Sequence, residues 1–418
     1  MAKHMRVMYN CTIMTSKLLI IVIASVIIIS GAIVLLPSRH ISYAPSPTNV
    51  TPTNNIDPLP TTTPNDSYAT TTQQIDIIPD DEPISSVGVT HIETPETVRG
   101  LYLTGNTFSS VSTMNDLLSK VKNSDINTLV IDVTSDGGPL FPIKNAITQA
   151  RLALLHHKNL YLIARVVALN DGKGGWYDPM SQARRDTLFS ISQRAVTLGF
   201  DEINFDYVRY PGPGEPKNDT PITDRINNIT SLFKFMKEDI SDVIGHPISL
   251  DIFGSTFIYQ EANIGQNMEE AVRYFDYIMP MPYPSHWAEG TFGYQSPGKH
   301  PYEIVNTALK TGWAKVKNDP QRIAKLRSWI QDFNLESVFP IRYIDYTPEM
   351  IYQQIYACQD NGCEGWVLWN PRNEYRAKVI TIPANPNPAP PPPSTATSSK
   401  ELKTSTSSAE TGTSTTAQ

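Results

Sequence analysis

The feature that most constrains this chain is a regular alternation between residues 98 and 370. Short apolar runs, β-branched or aromatic, are separated there by segments of helical spacing. Such alternation is typical of a parallel sheet with helical connections. Eight runs resemble strands: Val98–Thr104, Thr128–Val133, Leu160–Val167, Asp201–Tyr207, Ile248–Phe253, Tyr274–Met281, Leu326–Gln331 and Gly365–Asn370. Eight such units in a segment of this length predict an α/β fold, the (β/α)8 TIM barrel.

The segments between the runs carry helix signals. Apolar residues recur at helical spacing in two of them: Met114, Leu117, Leu118 and Val121, and then Ile226, Ile229, Leu232, Phe233, Met236 and Ile240. Ser112 is the predicted N-cap of the first, and Thr347 followed by Pro348 predicts another helix start. An open doubly wound sheet is the rival architecture. It usually has a glycine-rich phosphate turn after its first strand, which is lacking after Leu103.

The two ends of the chain differ in composition from this middle part. Residues 18–36 form an uncharged apolar run long enough to cross a bilayer. Lys3, Arg6 and Lys17 precede it, which predicts a cytoplasmic N-terminus at residues 1–17. A cleaved signal peptide is the competing interpretation, although its apolar region is normally shorter. Either interpretation predicts export of the chain after the apolar run.

The remaining boundaries are set by composition. Residues 37–93 are predicted to be a Thr/Pro-rich disordered linker, 94–380 the barrel and 381–418 a disordered Pro/Ser/Thr-rich tail. The predicted location is therefore the cell membrane, through one span, with the barrel outside. Cys358 and Cys363 form either a local disulfide or two half-buried thiols. A net charge of −7 without a basic cluster gives no support to nucleic-acid binding.

The fourth run carries the densest group of polar residues. Alternation places Glu202, Asn204 and Asp206 on the face turned into the barrel. Glu202 lies low in the barrel and is interpreted as part of a structural hydrogen-bond ladder. Asp206 lies at the mouth, where catalytic groups of such barrels gather. Arg209, with the amide of Asn204, is predicted to keep Asp206 ionised.

Other strand ends supply a second carboxylate and groups suited to a sugar. Asp251 on the fifth run is the predicted general acid beside Asp206, since a glycosidase needs two carboxyl groups around one bond. Asp136 is interpreted as a turn residue. The remaining predicted binding residues are Tyr102, Asp132, Arg165, Tyr283, His286, Gln331, Trp369 and Asn370. The sequence shows no metal-ligand spacing and implies no cofactor.

Several motifs in this order resemble the "putative glycosyl hydrolase domain" family of bacterial exported and cell-wall-associated proteins, relatives of the α-amylase-like barrels. The motifs are Arg99–Gly105, Val130–Val133, Ile163–Arg165, Gly199–Ile203 with Phe205–Pro211, Asp251–Gly254, Gly265–Gln266, Pro280–His286, Trp329–Phe333 and Gly365–Asn370. This chain departs from the family pattern at Ser328, where proline is usual, and at Thr134–Ser135.

The resemblance implies a glycosidase-like barrel with a fourth-strand nucleophile, at the position of Asp206. Amylase-like barrels carry a fifth-strand Glu, where this chain has Asp251. Two functions stay open. One is a hydrolase of a cell-wall or extracellular polysaccharide that acts through two carboxylates. The other is a non-catalytic barrel that binds glycan or cell wall.

Overall fold

The computed structural model describes residues 89–135, 138–139, 146–216, 218–261, 263–335, 344–376 and 380–386. Its main sheet has the predicted strands: β1 Val98–Leu103, β2 Thr128–Asp132, β3 Tyr161–Val167, β4 Glu202–Asp206, β5 Ile248–Phe253, β6 Tyr277–Met281, β7 Lys325–Leu326 with Ser328–Gln331, and β8 Gly365–Trp369. After β2, the two-residue strands Thr134–Ser135 and Gly138–Pro139 pair in antiparallel fashion.

The strands are all parallel and follow chain order around a nearly closed ring, β8 lying beside β1. β7 is interrupted at Arg327. Its first part pairs with β6 and its second part with β8. At the interruption the Arg327 N–H donates to the Ile278 carbonyl at 3.0 Å. Pro280 of β6 accepts from the Ser328 hydroxyl at 3.4 Å and has no N–H to donate. The sheet is consistent with the predicted (β/α)8 barrel.

A helix lies in each described connection between strands. The helices are Gly105–Ser109, α1 Val111–Val121, α2 Ala146–His157, α3 Gln182–Leu198, α4 Ile222–Phe235, α5 Met268–Ala271, α6 Pro301–Val316 and α7 Pro348–Asp360. α4 continues through a π-helical turn at Met236–Ser241 into Asp242–Ile244. Short 3-10 turns are Gly254–Phe257, Pro284–His286, Thr291–Gly293 and Pro297–Lys299.

The helix starts show one difference from the sequence prediction. Ser110, not Ser112, caps α1, because the short helix before it ends at Ser109 and leaves Ser110 extended to accept from the Thr113 N–H. Thr347 caps α7 with Pro348 in its first turn, as predicted.

Alternation along each strand separates two apolar layers. Ile203 and Phe205 of β4 pack outward against the helices, within the larger apolar cluster. Val130, Ile163 and Trp329 belong to a smaller cluster inside the barrel. Glu202, Asn204 and Asp206 are buried and point inward, as the alternation predicts.

The base of the barrel holds a buried ion pair. Glu202 and Arg327 have fully buried side chains and lie 2.7 Å apart. The Tyr161 hydroxyl also donates to Glu202, at 3.1 Å, and the Arg327 guanidinium lies over the Tyr277 ring at 3.7 Å. The structural ladder expected for Glu202 is therefore present, with Arg327 as its cationic partner.

The described termini are attached to the base and side of the barrel. The Ile92 N–H donates to Asp201, and the Ile382 N–H donates to Asp125. Cys358 and Cys363 are joined in a disulfide with Cα atoms 5.4 Å apart. The predicted segments 1–17, 18–36 and most of 37–93, the turn residue Asp136 and nearly all of the predicted tail lie outside the described residues. Within the described part, every helix is too short or too polar to cross a bilayer.

Asp332, directly after β7, gives a pH-dependent stability prediction. Burial raises the pKa of this carboxyl to about 7, and Arg376, at 3.3 Å, lowers it only in part. A raised pKa means that the folded state holds the proton more tightly than the unfolded state. The free energy of unfolding should therefore fall by about 2–3 kcal/mol between pH 5 and pH 8 from this group alone.

Asp332→Asn removes this titration, so its urea-unfolding free energy should exceed that of the wild type at pH 8 and match it more closely at pH 5. Asp345→Asn, at an exposed carboxylate on the adjoining segment, is the control and should leave the pH dependence intact. An equal loss of stability with rising pH in Asp332→Asn and the wild type would contradict the prediction.

Candidate active site

One guanidinium organises the mouth of the barrel. Arg165 lies near the end of β3 and is buried. It donates to Asp132 of β2 at 2.5 Å and to Asp206 of β4, and its Nε lies 3.7 Å from Asp251 of β5. Four neighbouring strands thus bring three carboxyl groups around one cation, at the edge where catalytic groups of such barrels gather.

Asp206 is held by two N–H donors. Arg165 contacts one carboxyl oxygen, and the backbone N–H of Tyr207 donates to the other at 2.6 Å. Tyr207 has a φ of 54°, in the left-handed region that non-glycine residues seldom adopt. Such strain costs on the order of 1–3 kcal/mol and clusters at functional sites. The strained turn fixes the orientation of the Asp206 carboxyl.

Asp251 lies deeper than Asp206. Its Oδ1 accepts from the Trp329 indole N–H at 2.7 Å and from the Asn204 amide at 2.9 Å. Burial, together with the nearby Asp206 carboxylate, raises the pKa of Asp251 well above its usual range.

The three carboxyl groups differ in access to solvent. The Asp132 and Asp206 side chains are each 12% exposed, whereas that of Asp251 is 1% exposed. Asp132 accepts from the Tyr102 hydroxyl at 2.5 Å, and burial raises its pKa as well. Asp132 and Asp206 therefore form the reachable pair, with Asp251 beneath them.

Aromatic rings line the rim on the β8 and β1 side. The rings of Tyr102 and Trp369 are stacked with centroids 4.0 Å apart, and Trp369 is half-buried. The Arg165 guanidinium lies 5.1 Å from the Trp369 ring. Across the mouth, Tyr283 packs edge-on against the exposed His286 and against Phe333. Rings with one free face suit the apolar face of a sugar.

Two predicted interactions of Asp206 are wrong. Arg209 does not reach Asp206. It forms a two-point ion pair with Glu215, at 2.7 and 2.9 Å. Asn204 donates to Asp251 and to Ser249 on the adjacent strand β5 instead of to Asp206. Arg165 on the adjacent strand is the cation that pairs with Asp206.

Two other predicted binding residues support loops. Gln331 is fully buried, and its carbonyl oxygen accepts from the N–H and hydroxyl of Ser285, which positions the loop after β6. Asn370 forms hydrogen bonds with Arg372 and Glu374 in the turn after β8. Both residues stabilise segments of the rim through these hydrogen bonds.

The sequence reasoning missed Trp329 and Trp176. Trp329 shares the inward alternation of Gln331 on β7, and this signal was present in the sequence. Trp176 lies in the loop after β3, where no periodicity points to the mouth. Among the described residues, no group of three or more His, Cys, Asp or Glu is arranged to hold a metal ion.

The family model described as "putative glycosyl hydrolase domain" matches residues 100–175 and 170–375. These two matches cover most of the chain, including most of β1 and every later strand of the main sheet. The chain belongs to this family. The putative glycosyl hydrolase domain therefore contains Asp132, Arg165, Asp206 and Asp251, the residues gathered at the mouth.

Several solved structures are similar to this putative glycosyl hydrolase domain. The glycoside hydrolase domain of PgaB (BpsB) from Bordetella bronchiseptica is 11% identical, with a TM-score of 0.49, over 69% of this chain and 100% of that one. A chitinase from Chromobacterium violaceum is 14% identical, with a TM-score of 0.47, over 68% and 98%. The Bacillus cereus spore cortex-lytic enzyme SleL is 14% identical, with a TM-score of 0.44, over 69% and 74%. No curated protein matches the sequence.

Proposed function

We propose that the barrel hydrolyses glycosidic bonds of a cell-wall or extracellular polysaccharide. The observation that carries this proposal is the arrangement of Asp132, Asp206 and Asp251 around the Arg165 guanidinium. A glycosidase needs two carboxyl groups beside one bond, with one carboxyl protonated. Membership of the family described as a glycosyl hydrolase domain supports the same reaction.

Asp206 is the principal carboxylate in this mechanism. It is reachable from solvent, and two N–H donors fix its orientation. It acts on the face of the sugar ring opposite the leaving group, either as the nucleophile or as the base for water. In the net reaction the bond between the anomeric carbon and the bridging oxygen breaks. The bridging oxygen gains a proton, and the anomeric carbon gains the hydroxyl of water.

The structure favours Asp132 over Asp251 as the group that protonates the leaving oxygen. Both have a raised pKa, so either can carry the proton. A general acid must also come within hydrogen-bond distance of the leaving oxygen. The Asp251 side chain is 1% exposed beneath Trp329 and Asn204, whereas that of Asp132 reaches the mouth. Asp251 then positions the Arg165 and Asn204 side chains.

The assignment predicts different kinetics for the two carboxyl variants. Asp132→Asn should reduce kcat by about 10²-fold or more on natural glycosidic bonds and much less on aryl glycosides, whose leaving groups need little protonation. Asp251→Asn should reduce kcat on both substrates by similar factors. The measurement is kcat on both substrates for each variant. If Asp251→Asn alone shows the dependence on leaving group, the acid is Asp251, as the sequence predicted.

Activity itself is tested by incubating the purified protein with isolated cell walls and a panel of soluble polysaccharides, and measuring new reducing ends. Release of reducing ends that the Asp206→Asn variant does not produce supports the hydrolase.

A binding barrel is the second candidate function, and the near-complete burial of Asp251 favours it. Retention on cell walls without any new reducing ends, for wild type and Asp206→Asn alike, identifies the binding module.

We further infer that the barrel is held outside the cell membrane by residues 18–36. The uncharged run with Lys and Arg before it supports this orientation, and the Cys358–Cys363 disulfide suits an oxidising compartment. Protease added to intact cells should release the barrel by cutting within residues 45–88. Protection of the barrel until the membrane is broken would contradict the orientation.

A further inference from the structure

A second group of aromatic rings lies at the mouth, on the side opposite Trp369. Trp176 from the loop after β3 and Tyr207 after β4 have ring centroids 5.9 Å apart, and both are half-buried. The Arg209 guanidinium lies 4.5 Å from the Trp176 ring and 5.1 Å from the ring of Phe253 at the end of β5. None of these rings was among the predicted binding residues.

The order of the strands places this group opposite Trp369. In a ring of eight strands β8 and β4 are four positions apart, and β1 and β5 are likewise four apart. Trp369 and Tyr102 belong to β8 and β1, whereas Tyr207 and Phe253 follow or end β4 and β5. The carboxyl groups and Arg165, on β2 to β5, lie along the arc that joins the two aromatic groups.

The two aromatic groups and the carboxyl groups form one row across the mouth, which runs from Trp369 through Arg165 and Asp206 to Tyr207 and Trp176. The Trp369 ring lies 5.1 Å from the Arg165 guanidinium, which contacts Asp206. Asp206 is followed in the chain by Tyr207, whose ring approaches Trp176. A polymer that crosses the mouth along this row meets a ring, then the carboxyl groups, then a second ring.

The loop that carries Trp176 is locally ordered. The Asp171 carboxylate accepts from the Gly175 N–H at 2.6 Å, and the Asp171 N–H donates to the Gly175 carbonyl at 3.0 Å. An isolated β-bridge pairs Asn170 with Trp176. The ring is therefore held in place before a ligand arrives, which lowers the entropy cost of binding.

The charges beside the row indicate the kind of chain that fits. Arg165 is engaged by the three carboxyl groups, and Arg209 by Glu215. These two arginines are therefore occupied, and the row offers carboxyl groups and ring faces to a ligand. A uronic acid or phosphate placed between the two rings would meet the carboxylates while Arg165 and Arg209 are already paired, so the row suits a sugar chain that lacks acidic groups.

We propose that Trp369 and Trp176 bind sugar units of one non-acidic polysaccharide on opposite sides of Asp206, so that the enzyme cuts inside the chain. This proposal rests on the hydrolase proposed above and specifies its substrate class and its position of attack. An enzyme with sugar-binding rings on one side only would instead release short products from a chain end.

The first experiment follows product length. The wild type is incubated with the soluble polysaccharide that it degrades fastest, and products are separated by size during the first few per cent of conversion. Long fragments and a rapid fall in viscosity are expected. Release of a single short product from the first time point would overturn the proposal of internal cleavage, but the proposal that the barrel is a hydrolase would still stand.

The second experiment removes each ring. Trp176→Ala and Trp369→Ala are each expected to raise KM for long chains about 10-fold, because each variant loses one stacking contact between a sugar and a ring, and the loss of one such contact weakens binding by about this factor. The variants Trp176→Phe and Trp369→Phe should restore most of the affinity. Trp313→Ala on the outer helix α6 is the matched control. Thermal unfolding of every variant separates lost binding from lost folding.

If the wild type cleaves nothing, the same variants are tested on immobilised oligosaccharides of increasing length. If binding strengthens with chain length and weakens in both Trp→Ala variants, the two rings bind one sugar chain even though the proposed hydrolysis is wrong. The proposal that both rings bind one sugar chain is overturned if binding is absent, if it does not depend on chain length, or if it survives the loss of Trp176.

Discussion

Asp206→Asn is expected to lower kcat about 10³-fold or more and to leave KM within a few fold of the wild-type value. The amide has nearly the shape of the carboxylate, and its carbonyl oxygen can still accept from Arg165. It supplies neither the negative charge nor the basicity that hydrolysis requires. The measurement is steady-state hydrolysis of the polysaccharide that the wild type cleaves.

Asp239→Asn, at an exposed carboxylate in the π-helical turn after helix α4, is the matched control and should keep wild-type kcat. A variant at Asp206 that retains normal hydrolysis would eliminate the two-carboxylate mechanism centred on this residue. A normal unfolding midpoint for Asp206→Asn is required for either conclusion.

Arg327→Met should be the most destabilising single change at the base of the barrel. It leaves the fully buried Glu202 without its cation, and breaking a buried pair by removing one partner costs about 3–5 kcal/mol. The double variant Glu202→Gln with Arg327→Met should recover most of that loss, because no buried charge remains. The free energy of unfolding in urea measures both.

Lys325→Met provides a control two residues away in the same strand region. Its ion pair with Glu364 is about half exposed, so its loss should cost less than about 1 kcal/mol. Equal destabilisation by Lys325→Met and Arg327→Met would mean that burial does not govern the strength of these pairs.

The strands could be predicted because each is a short β-branched or aromatic run separated from the next by a segment of helical spacing. The eight predicted runs overlap all eight strands, and Thr347 begins α7 as expected. The interruption of β7 could not be predicted, because it depends on which residues of β6 lie beside Arg327. Neighbouring strands decide that register, and a single run of sequence does not contain it.

The site was predicted less well than the fold for the same reason. The sequence places Asp206, Asp251 and Asp132 at inward positions, but their relative depth depends on how far each strand extends toward the mouth. Closeness in sequence favours Arg209 as the partner of Asp206. The actual partner, Arg165, is on the adjacent strand, 41 residues earlier. Closeness in sequence likewise favours Asn204 as a partner of Asp206, whereas Asn204 donates to Asp251 on the adjacent strand.

The interruption at Arg327 makes the contact between β6 and β7 different from the other strand contacts of the barrel. Between β6 and the second part of β7, the described contacts include the Ser328 hydroxyl donating to the Pro280 carbonyl at 3.4 Å. Main-chain ladders hold the strands on the Asp206 side. Local opening takes less free energy where fewer backbone hydrogen bonds must break. Near the rim beside Tyr283, side-chain hydrogen bonds from Ser285 to Gln331 therefore take the place of a main-chain ladder, whereas ladders between β3, β4 and β5 keep the carboxyl groups in register, so the two sides of the mouth depend on different interactions for their stability.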